Sequence, residues 1–392
     1  MPRARLLALA VPAAVLLSGC VANTPAGEGR ALTVDSSASA CELSATEAPS
    51  GTLTFSVTNT GDETTEFYLL ADDALRIVAE VENIGPGLTR DLVAQVAPGE
   101  YFTACKPGMV GDGIQAAFTV TDSGEQVGPT GAVADQLATA EADYLAYVKD
   151  QVGSLLAGTQ EFAAAYTAGD DDRARELYPT VRVHWERIEP VAESFGDLDP
   201  LLDAREADLA EGETWSGWHL IEKDLWQPAP EANGGEDYVA LTDAERTAAA
   251  DDLVAQTEEL HARVTATDFT FEAFQISNGA KELLDEVATG KVTGEEEIWS
   301  HTDLWDLAAN VDGAEVALGV LRPVAEQADP DLVAELDDRF AALDAVLAEH
   351  GSYQNGFSAY DELTTDEVQA LAAAVDALAE PLSGLTAVVT GA

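Results

Sequence analysis

The hydrophobic pattern of the chain changes its period once, and this change constrains the fold more than any other feature. Between residues 32 and 122, apolar and polar residues alternate in short runs such as "GTLTFSVTNTG" and "RIVAEVENI", which "GPG" and "APGE" turns separate. Short alternating runs divided by turns predict a β-sandwich. From residue 133 onward, Ala and Leu recur every three to four residues, as in "DLVAELDDRFAALDAVLAEHG". That spacing predicts amphipathic helices.

The two patterns define the domain organisation. The segment 123–132, "SGEQVGPTGA", is rich in Gly, Pro and polar residues and is predicted to be a linker. Long amphipathic helices joined by short loops are typical of a helical bundle. We therefore expect a multidomain β-then-α protein, with a β-sandwich over 32–122 and an all-α bundle over 133–392.

The N-terminus predicts export. Residues 1–19 carry Arg3 and Arg5, then the apolar run "LLALAVPAAVLL", which is typical of a cleaved signal peptide. The sequence "LSGC" resembles a bacterial lipobox, so Cys20 is the expected lipidation site and 20–31 a tether. Ordinary secretion with a stray cysteine is the alternative. The predicted location is the outer face of the cytoplasmic membrane, in the periplasm or at the cell surface.

The charge balance excludes one class of partner. The chain has 72 acidic against 19 basic residues and a formal net charge of −53. A surface of this sign repels phosphate backbones, so nucleic-acid binding is not expected. A solvated acidic surface explains most of the charge, and cation binding applies only where carboxylates converge.

Two cysteines lie in the predicted β-domain, Cys41 and Cys105, and in an exported domain they most simply form a disulfide. The segment "GEYFTACKPGM" resembles the last strand and loop of a cupredoxin, where Cys and Met hold copper. However, all five histidines lie beyond residue 122, and a blue-copper site needs two imidazoles beside its thiolate. A modified metal site therefore stays open as an alternative to the disulfide.

The predicted helical domain holds a constellation of metal-ligand residue types. His219 and Glu222 stand three residues apart in "ETWSGWHLIEKDLW", so a helix places both on one face. Glu186 and Glu189 form a second pair with this spacing, just before Pro190 perturbs the helix. Inward-facing Glu and His pairs build metal sites in helical bundles, and carboxylate with imidazole suits iron or zinc. The alternative is a structural histidine in an aromatic core.

Long motifs across the chain carry a resemblance to a known family. The segments "ERIEPVAESFGDLDP", "TWSGWHLIEKDLW" and "ISNGAKELLDEVATGKVTGEEEIWSHTDLWDLAANVDGA", together with the β-domain, resemble EfeO. This family of bacterial iron-uptake components joins a cupredoxin-like domain to an imelysin-like (M75 peptidase-type) helical domain. The resemblance implies a lipid-anchored protein that binds Fe2+ or Fe3+ and delivers iron to an EfeU-type permease, with an EfeB-type haem peroxidase as a further partner.

The resemblance also implies particular site residues. The family's HxxE motif falls on His219 and Glu222, and its bundle carboxylates fall on Glu186, Glu189 and Asp203. For the last of these, Asp199 and Glu206 are close competitors. The second metal site proposed for the family, holding copper or zinc, falls on Cys41, Glu66, Glu100 and Cys105. His301 and Asp303, in "WSHTDLWD", are family landmarks without an assigned ligand role.

The peptidase name of the helical domain does not by itself predict catalysis. A zinc peptidase of the H-E-x-x-H kind has two histidines one helical turn apart, and here Lys223 follows Glu222 directly. No G-x-S-x-G nucleophile motif occurs in the sequence. We expect binding without catalysis. The alternatives are a metal-dependent hydrolase or ferroxidase of the M75 type and a surface module that binds a polymer or protein.

Overall fold

The structure is a computed structural model that describes residues 29–72, 74, 77–109, 113–124, 128–209, 212, 214–289 and 291–390. The predicted signal peptide at 1–19, Cys20 and most of the tether lie outside the described residues. Lipidation of Cys20 therefore stays a prediction.

Within the described residues, nine strands form two sheets in the first part of the chain. The strands are β1 (Ala31–Ser37), β2 (Ala40–Leu43), β3 (Glu47–Pro49), β4 (Gly51–Asn59), β5 (Thr65–Leu70), β6 (Ile77–Ile84), β7 (Thr89–Val96), β8 (Gly99–Cys105) and β9 (Ile114–Thr121). One sheet has the order β2-β1-β4-β7 and the other β3-β9-β8-β5-β6. The pairs β1–β4 and β3–β9 are parallel, and the other pairs are antiparallel.

The alternation of the sequence produces the core of this domain. Every second residue of β4 is buried, because successive side chains of a strand point to opposite faces. Phe55 packs against Phe67 and Phe118 of the other sheet, with ring centroids 5.3 and 5.6 Å away. Cys41 in β2 and Cys105 in β8 form a disulfide, which joins the two sheets.

The remainder of the described chain is mainly helical. The helices are α1 (Ala132–Thr167), α2 (Asp171–Glu186), α3 (Leu198–Asp203), α4 (Trp218–Trp226), α5 (Asp243–Thr265), α6 (Ala273–Thr289), α7 (Asp303–Ala328), α8 (Pro330–Leu347), α9 (Thr365–Leu382) and α10 (Leu385–Thr390). Helix α1 packs against α2, α5 and α7, and α6 packs against α7 and α9. The predicted β region followed by a helical domain is confirmed. The departure from a purely helical domain is a short hairpin, β10 (Gly351–Ser352) with β11 (Gly356–Phe357).

Breaks between helices place polar side chains in the interior of this domain. Helix α2 ends at Glu186, and a 3-10 turn begins at Glu189 with Pro190 next in sequence. Helix α3 ends at Asp203, and α7 begins at Asp303. These four acidic residues all lie at helix ends, where the chain changes direction.

One described segment, Thr365–Thr390, is long and apolar enough to cross a membrane by composition, with a mean hydropathy of 1.4. It comprises α9 and α10. Its apolar residues Leu371, Val375 and Leu378 pack in the core of the helical domain. Packing in the core of the helical domain therefore accounts for the apolar residues of this segment.

Candidate metal centre

A glycine brings the two short helices of the centre together. Gly217 directly precedes α4, and its φ of 87° lies in the left-handed region that glycine adopts readily. A Cβ atom at this position would stand 2.1 Å from the carbonyl oxygen of Leu202 in α3. The glycine in "WSGWH" therefore allows the start of α4 to lie directly on the end of α3. This contact places His219 beside Asp203.

One ring nitrogen of His219 faces two carboxylates. His219 is 1% exposed. Its Nε2 atom lies 3.5 Å from Asp203 Oδ1 and 3.6 Å from Glu296 Oε1, and it forms no hydrogen bond of good geometry. The donor atoms of these three residues lie within 4.8 Å of one another. An imidazole nitrogen with two carboxylate oxygens is a set of ligands that iron and zinc accept.

The other ring nitrogen faces a second pair of carboxylates. Nδ1 of His219 is hydrogen-bonded to Glu222 Oε2 at 3.3 Å and lies 4.0 Å from Glu297 Oε1. The donor atoms of this group also lie within 4.8 Å of one another, and all three side chains are buried. Glu222 Oε1 accepts the backbone N–H groups of Trp299 at 3.1 Å and Ser300 at 2.7 Å. The i, i+3 spacing thus places His219 and Glu222 on one face, as predicted.

The segment before α7 supplies the glutamates that converge on the imidazole. Glu297 Oε2 accepts the hydroxyl of Ser300 at 2.7 Å, and Oε1 accepts the hydroxyl of Tyr178 at 3.1 Å. The backbone N–H of Glu297 donates to Asp303 Oδ1 at 3.1 Å. Asp303, at the start of α7, therefore holds the turn that carries Glu297 into the interior.

A buried arginine lies among these acidic groups. Arg182 of α2 is 0% exposed and donates hydrogen bonds to Asp203 and, at 2.5 Å, to Glu186. Its Nε lies 2.8 Å from Glu297 Oε1, and its Nη2 lies 3.7 Å from Asp306 Oδ2. Because an unpaired buried charge is costly, the guanidinium and the carboxylates stabilise one another.

A buried lysine binds the other predicted pair of glutamates. Lys291 Nζ lies 2.5 Å from Glu189 Oε1, 3.2 Å from Glu186 Oε2 and 3.8 Å from Glu296 Oε1. Asn310 of α7 donates to Glu186 Oε2 at 3.0 Å and to Glu189 Oε2 at 2.6 Å. The ammonium group thus lies between the predicted Glu pair and the carboxylates at the imidazole.

The structure brings together part of the predicted ligand set. Asp203 and Glu222 lie directly against His219, on opposite ring nitrogens. Glu186 and Glu189 belong to the same buried network, but their described partners are Arg182, Lys291 and Asn310. Coordination of one ion by both glutamates and the imidazole stays a prediction.

Electrostatics distinguish the groups on the Nε2 side. Burial and Arg182 lower the pKa of His219, but its interactions with the surrounding carboxylates raise that pKa well above its ordinary value. Burial raises the pKa of Asp203, yet Arg182 and His219 outweigh burial and hold this pKa well below its usual range. Burial is likewise outweighed at Glu296, where Lys291 and His219 lower the pKa to about 2. Both carboxylates on this side are therefore ionised at neutral pH.

Three other carboxyl groups of the centre, those of Glu297, Asp306 and Asp303, have raised pKa values instead. Burial and the neighbouring Glu222 raise the pKa of Glu297 well above its ordinary value. Burial and Glu186 do the same for the pKa of Asp306, both of whose carboxyl oxygens lack a hydrogen-bond partner. Burial raises the pKa of Asp303 to about 6. These three carboxyl groups therefore keep their protons to a higher pH than Asp203 and Glu296 do.

A cavity of about 170 Å³ borders His219 and Glu296. Its lining residues are Arg205, Glu206, Ala207, His219, Glu295, Glu296, Ile298 and Trp299. Glu222 and Glu297, on the Nδ1 side, are 0% exposed. This cavity therefore meets the centre at His219 and Glu296 rather than at Glu222 or Glu297.

The second predicted metal site requires a correction. Cys41 and Cys105 are joined in a disulfide, so neither sulfur is a thiolate ligand. The carbonyl oxygen of Glu66 accepts the N–H of Lys106, just beyond one end of β8, whereas Glu100 lies near the other end. At about 3.3 Å per residue the two glutamates are roughly 20 Å apart.

Each of these glutamates also has a partner of its own. Glu66 accepts the hydroxyl of Tyr68 at 2.5 Å, and Glu100 accepts the hydroxyl of Thr119 at 2.9 Å. Among the described residues, both convergent groups of possible metal ligands lie in the helical domain. The expectation of copper or zinc held by Cys41, Glu66, Glu100 and Cys105 is therefore wrong for this arrangement.

Several residues of the centre were not identified from the sequence. They are Arg182, Lys291, Glu296, Glu297 and Asp306. The triplet "GEEEIW" was the available signal, since it places three glutamates beside a tryptophan. Of the two landmarks without an assigned role, Asp303 supports Glu297, whereas His301 is partly exposed and lies 3.7 Å from Asp361.

Comparison with known proteins agrees with this architecture. Residues 140–385 match the family Peptidase_M75: Imelysin. "Iron uptake system component EfeO" of Yersinia pestis is 36% identical over 351 residues, which is 89% of this chain and 88% of that protein. The protein of the same name from Escherichia coli O157:H7 is 33% identical over 359 residues, with the same two shares. The chain is therefore a member of the EfeO family of iron uptake system components, with an imelysin domain as its helical part.

Proposed function

We propose that this chain is an exported, lipid-anchored protein that binds iron beside His219 and delivers it to a membrane permease of the EfeU type. An EfeB-type haem peroxidase is the further partner in this proposal. The relatives carry the name "iron uptake system component", which supports a role in uptake. The signal-like N-terminus supports a location at the outer face of the cytoplasmic membrane.

The observation that carries the proposal is a buried imidazole between ionisable oxygens. Nε2 of His219 has no well-formed hydrogen bond and lies beside the oxygens of Asp203 and Glu296. An unpartnered buried nitrogen is costly unless something binds it. A cation with affinity for nitrogen and oxygen ligands fits this place, and iron is such a cation.

A binding role also agrees with the residue that follows the HxxE motif. Lys223 stands where a zinc peptidase helix of the H-E-x-x-H type would carry its second histidine. Its ammonium lies 2.6 Å from Glu206 and 5.1 Å from the ring centroid of Trp299. Because these contacts hold Lys223 as a buried cation, we propose that α4 binds metal without the peptidase arrangement of ligands.

Metal titration of the full chain tests this function. Fe2+ under anaerobic conditions, and Zn2+ as a redox-inert probe, should each raise the melting temperature. Binding to the folded state alone contributes about 2.7 kcal/mol when free metal is 100 times its Kd. His219→Ala should abolish most of this rise. His261→Ala, which removes the half-buried histidine of α5, is the matched control and should leave it unchanged.

Three results would contradict the proposal. The first is a melting temperature that does not respond to iron or zinc. The second is a metal-dependent rise that His219→Ala leaves intact. The third is steady turnover of peptides or of Fe2+ by the purified chain, which would favour a hydrolase or a ferroxidase of the M75 type instead.

A further inference from the structure

The carboxylate of Glu222 already has a donor for each of its oxygens. Oε1 accepts the backbone N–H groups of Trp299 and Ser300, and Oε2 is hydrogen-bonded to the Nδ1 atom of His219 at 3.3 Å. The Glu222 side chain is 0% exposed, so water does not compete for these contacts. A carboxylate held by three donors has little freedom to turn toward an ion.

The opposite ring nitrogen of His219, Nε2, is not held by hydrogen bonds in this way. Nε2 lacks a well-formed hydrogen bond, lies between Asp203 and Glu296, and belongs to the residue that reaches the cavity. A metal-bound histidine almost always donates its other ring N–H to a carboxylate or carbonyl, which fixes the tautomer and orients the ring. The contacts of this imidazole match that arrangement, with Glu222 as the acceptor.

We propose that the ion binds to His219 Nε2 together with Asp203 and Glu296, and that Glu222 is a positioning residue that holds the proton on Nδ1. This inference rests on the proposed function, because it assigns roles within the same iron site. It divides the HxxE pair, since the histidine is the ligand and the glutamate orients it.

Access to the imidazole supports the same division of roles. The cavity reaches His219, Glu296 and the guanidinium-bearing Arg205, whereas Glu222 and Glu297 do not line it. The side chains of Asp203 and Glu296 are 9% and 5% exposed, so both are largely shielded from water, and Glu296 lines the cavity. An ion held on the Nε2 side can therefore enter and leave without displacing the backbone contacts of Glu222.

Nitrogen NMR of the full chain distinguishes the two ring positions. With one equivalent of Zn2+, the long-range proton–nitrogen spectrum of His219 should show Nε2 bound to zinc and Nδ1 carrying a proton. Zinc on Nδ1, or zinc on both nitrogens at two equivalents, would overturn the proposal. If the wild-type chain binds neither zinc nor iron, the proposed function fails and the present inference fails with it.

The variant Glu222→Gln tests the positioning role. Its amide supplies one acceptor oxygen where three donors converge, so its NH2 group must face either the backbone N–H groups or Nδ1. Facing Nδ1, it favours the tautomer with the proton on Nε2, which competes with the metal. Zinc affinity should fall about 10- to 100-fold, the usual effect of removing a partner of a metal ligand.

X-ray absorption and a surface control complete the test. In Glu222→Gln the number of oxygen ligands around zinc should equal that of the wild type. Asp203→Asn and Glu296→Gln should each remove one oxygen ligand. Glu259→Gln, on the exposed face of α5, should change neither affinity nor ligand number. Loss of an oxygen ligand in Glu222→Gln, or an unchanged zinc affinity in that variant, would overturn the assignment. Circular dichroism excludes misfolding, and the wild-type NMR result decides the case if a variant does not fold.

Discussion

Asp203 Oδ1 and His219 Nε2 lie 3.5 Å apart although they belong to two different helices. Asp203 is the last residue of α3, and His219 is the second residue of α4. Gly217 closes the gap between these helices, because its lack of a side chain lets it contact the carbonyl of Leu202. The geometry of the centre thus depends on a position that has no ligand atoms of its own.

Gly217→Ala should weaken metal binding although Gly217 has no ligand atom in its side chain. The added Cβ would stand 2.1 Å from Leu202 O, and the positive φ adds about 1–3 kcal/mol of strain. We expect a lower melting temperature and at least a tenfold loss of zinc affinity by calorimetry. Gly153→Ala is the matched control, since a Cβ there, within α1, meets no atom inside 4 Å. Equal affinities of the two variants would show that α3 and α4 adjust without a cost to the site.

Asp303→Asn should change how the stability of the metal-free chain depends on pH. Burial raises the pKa of Asp303 to about 6, above the value of about 3.9 expected in the unfolded chain. A carboxyl with a raised pKa in the folded state contributes stability below pH about 4, and this stability is lost as pH rises through about 6. The amide that replaces the carboxyl group in the variant cannot ionise, so it adds no such dependence.

The free energies of unfolding of the wild type and of Asp303→Asn should therefore diverge between pH 4 and pH 8. Denaturant unfolding with a chelator present, from pH 4 to pH 8, should show a loss of about 2 kcal/mol in the wild type that Asp303→Asn lacks. The interval from pH 4 to 6 should contain most of the difference. Parallel curves for the two chains would place the titration of Asp303 close to its unfolded value.

Removal of the disulfide should destabilise the β-domain and leave the metal centre intact. The bond closes a loop with a sequence separation of 64 residues, and loss of a native disulfide costs about 2–5 kcal/mol. The double variant Cys41→Ser, Cys105→Ser should therefore unfold at lower denaturant, with unchanged zinc affinity. Untreated wild-type protein, once unfolded, should have no titratable thiol from this pair. A large loss of zinc affinity in the double variant would connect these cysteines to metal binding.

Cys20→Ala tests the anchor. If Cys20 carries the lipid, this variant should leave the membrane fraction and appear in the soluble fraction. Its melting temperature should equal that of the wild-type protein extracted from the membrane. The measurement is fractionation followed by immunoblotting. Cys41→Ser alone should stay in the membrane fraction, which controls for general effects of cysteine loss. Retention of Cys20→Ala in the membrane would reject lipidation at this position.

The division into a β region and a helical region could be predicted from the sequence because burial enforces a periodicity. Strand β4 buries alternate residues, and helix α8 buries Val333, Leu336, Phe340 and Leu343. The pair His219 and Glu222 could also be predicted, since spacing on one helix sets their relation without tertiary information.

The rest of the centre depends on contacts between distant segments. Arg182 and Glu186 have the i, i+4 spacing of an ordinary exposed ion pair, yet both are 0% exposed because α2 lies in the interior. Glu296 and Glu297 precede α7 in a segment without helical periodicity, and glutamates are rarely buried. The run "GEEEIW" places both glutamates close to a tryptophan, but it does not show that they turn inward toward an imidazole on α4.

The two buried cations, Arg182 and Lys291, bear on the stability of the empty site. Arg182 and Lys291 lie beside the carboxylates of the centre. They offset much of the mutual repulsion that would otherwise force an empty acidic pocket open. If the chain carries iron as proposed, it can fold while its site is empty and release the ion without unfolding. A protein that must be emptied at every cycle requires a resting state of this kind.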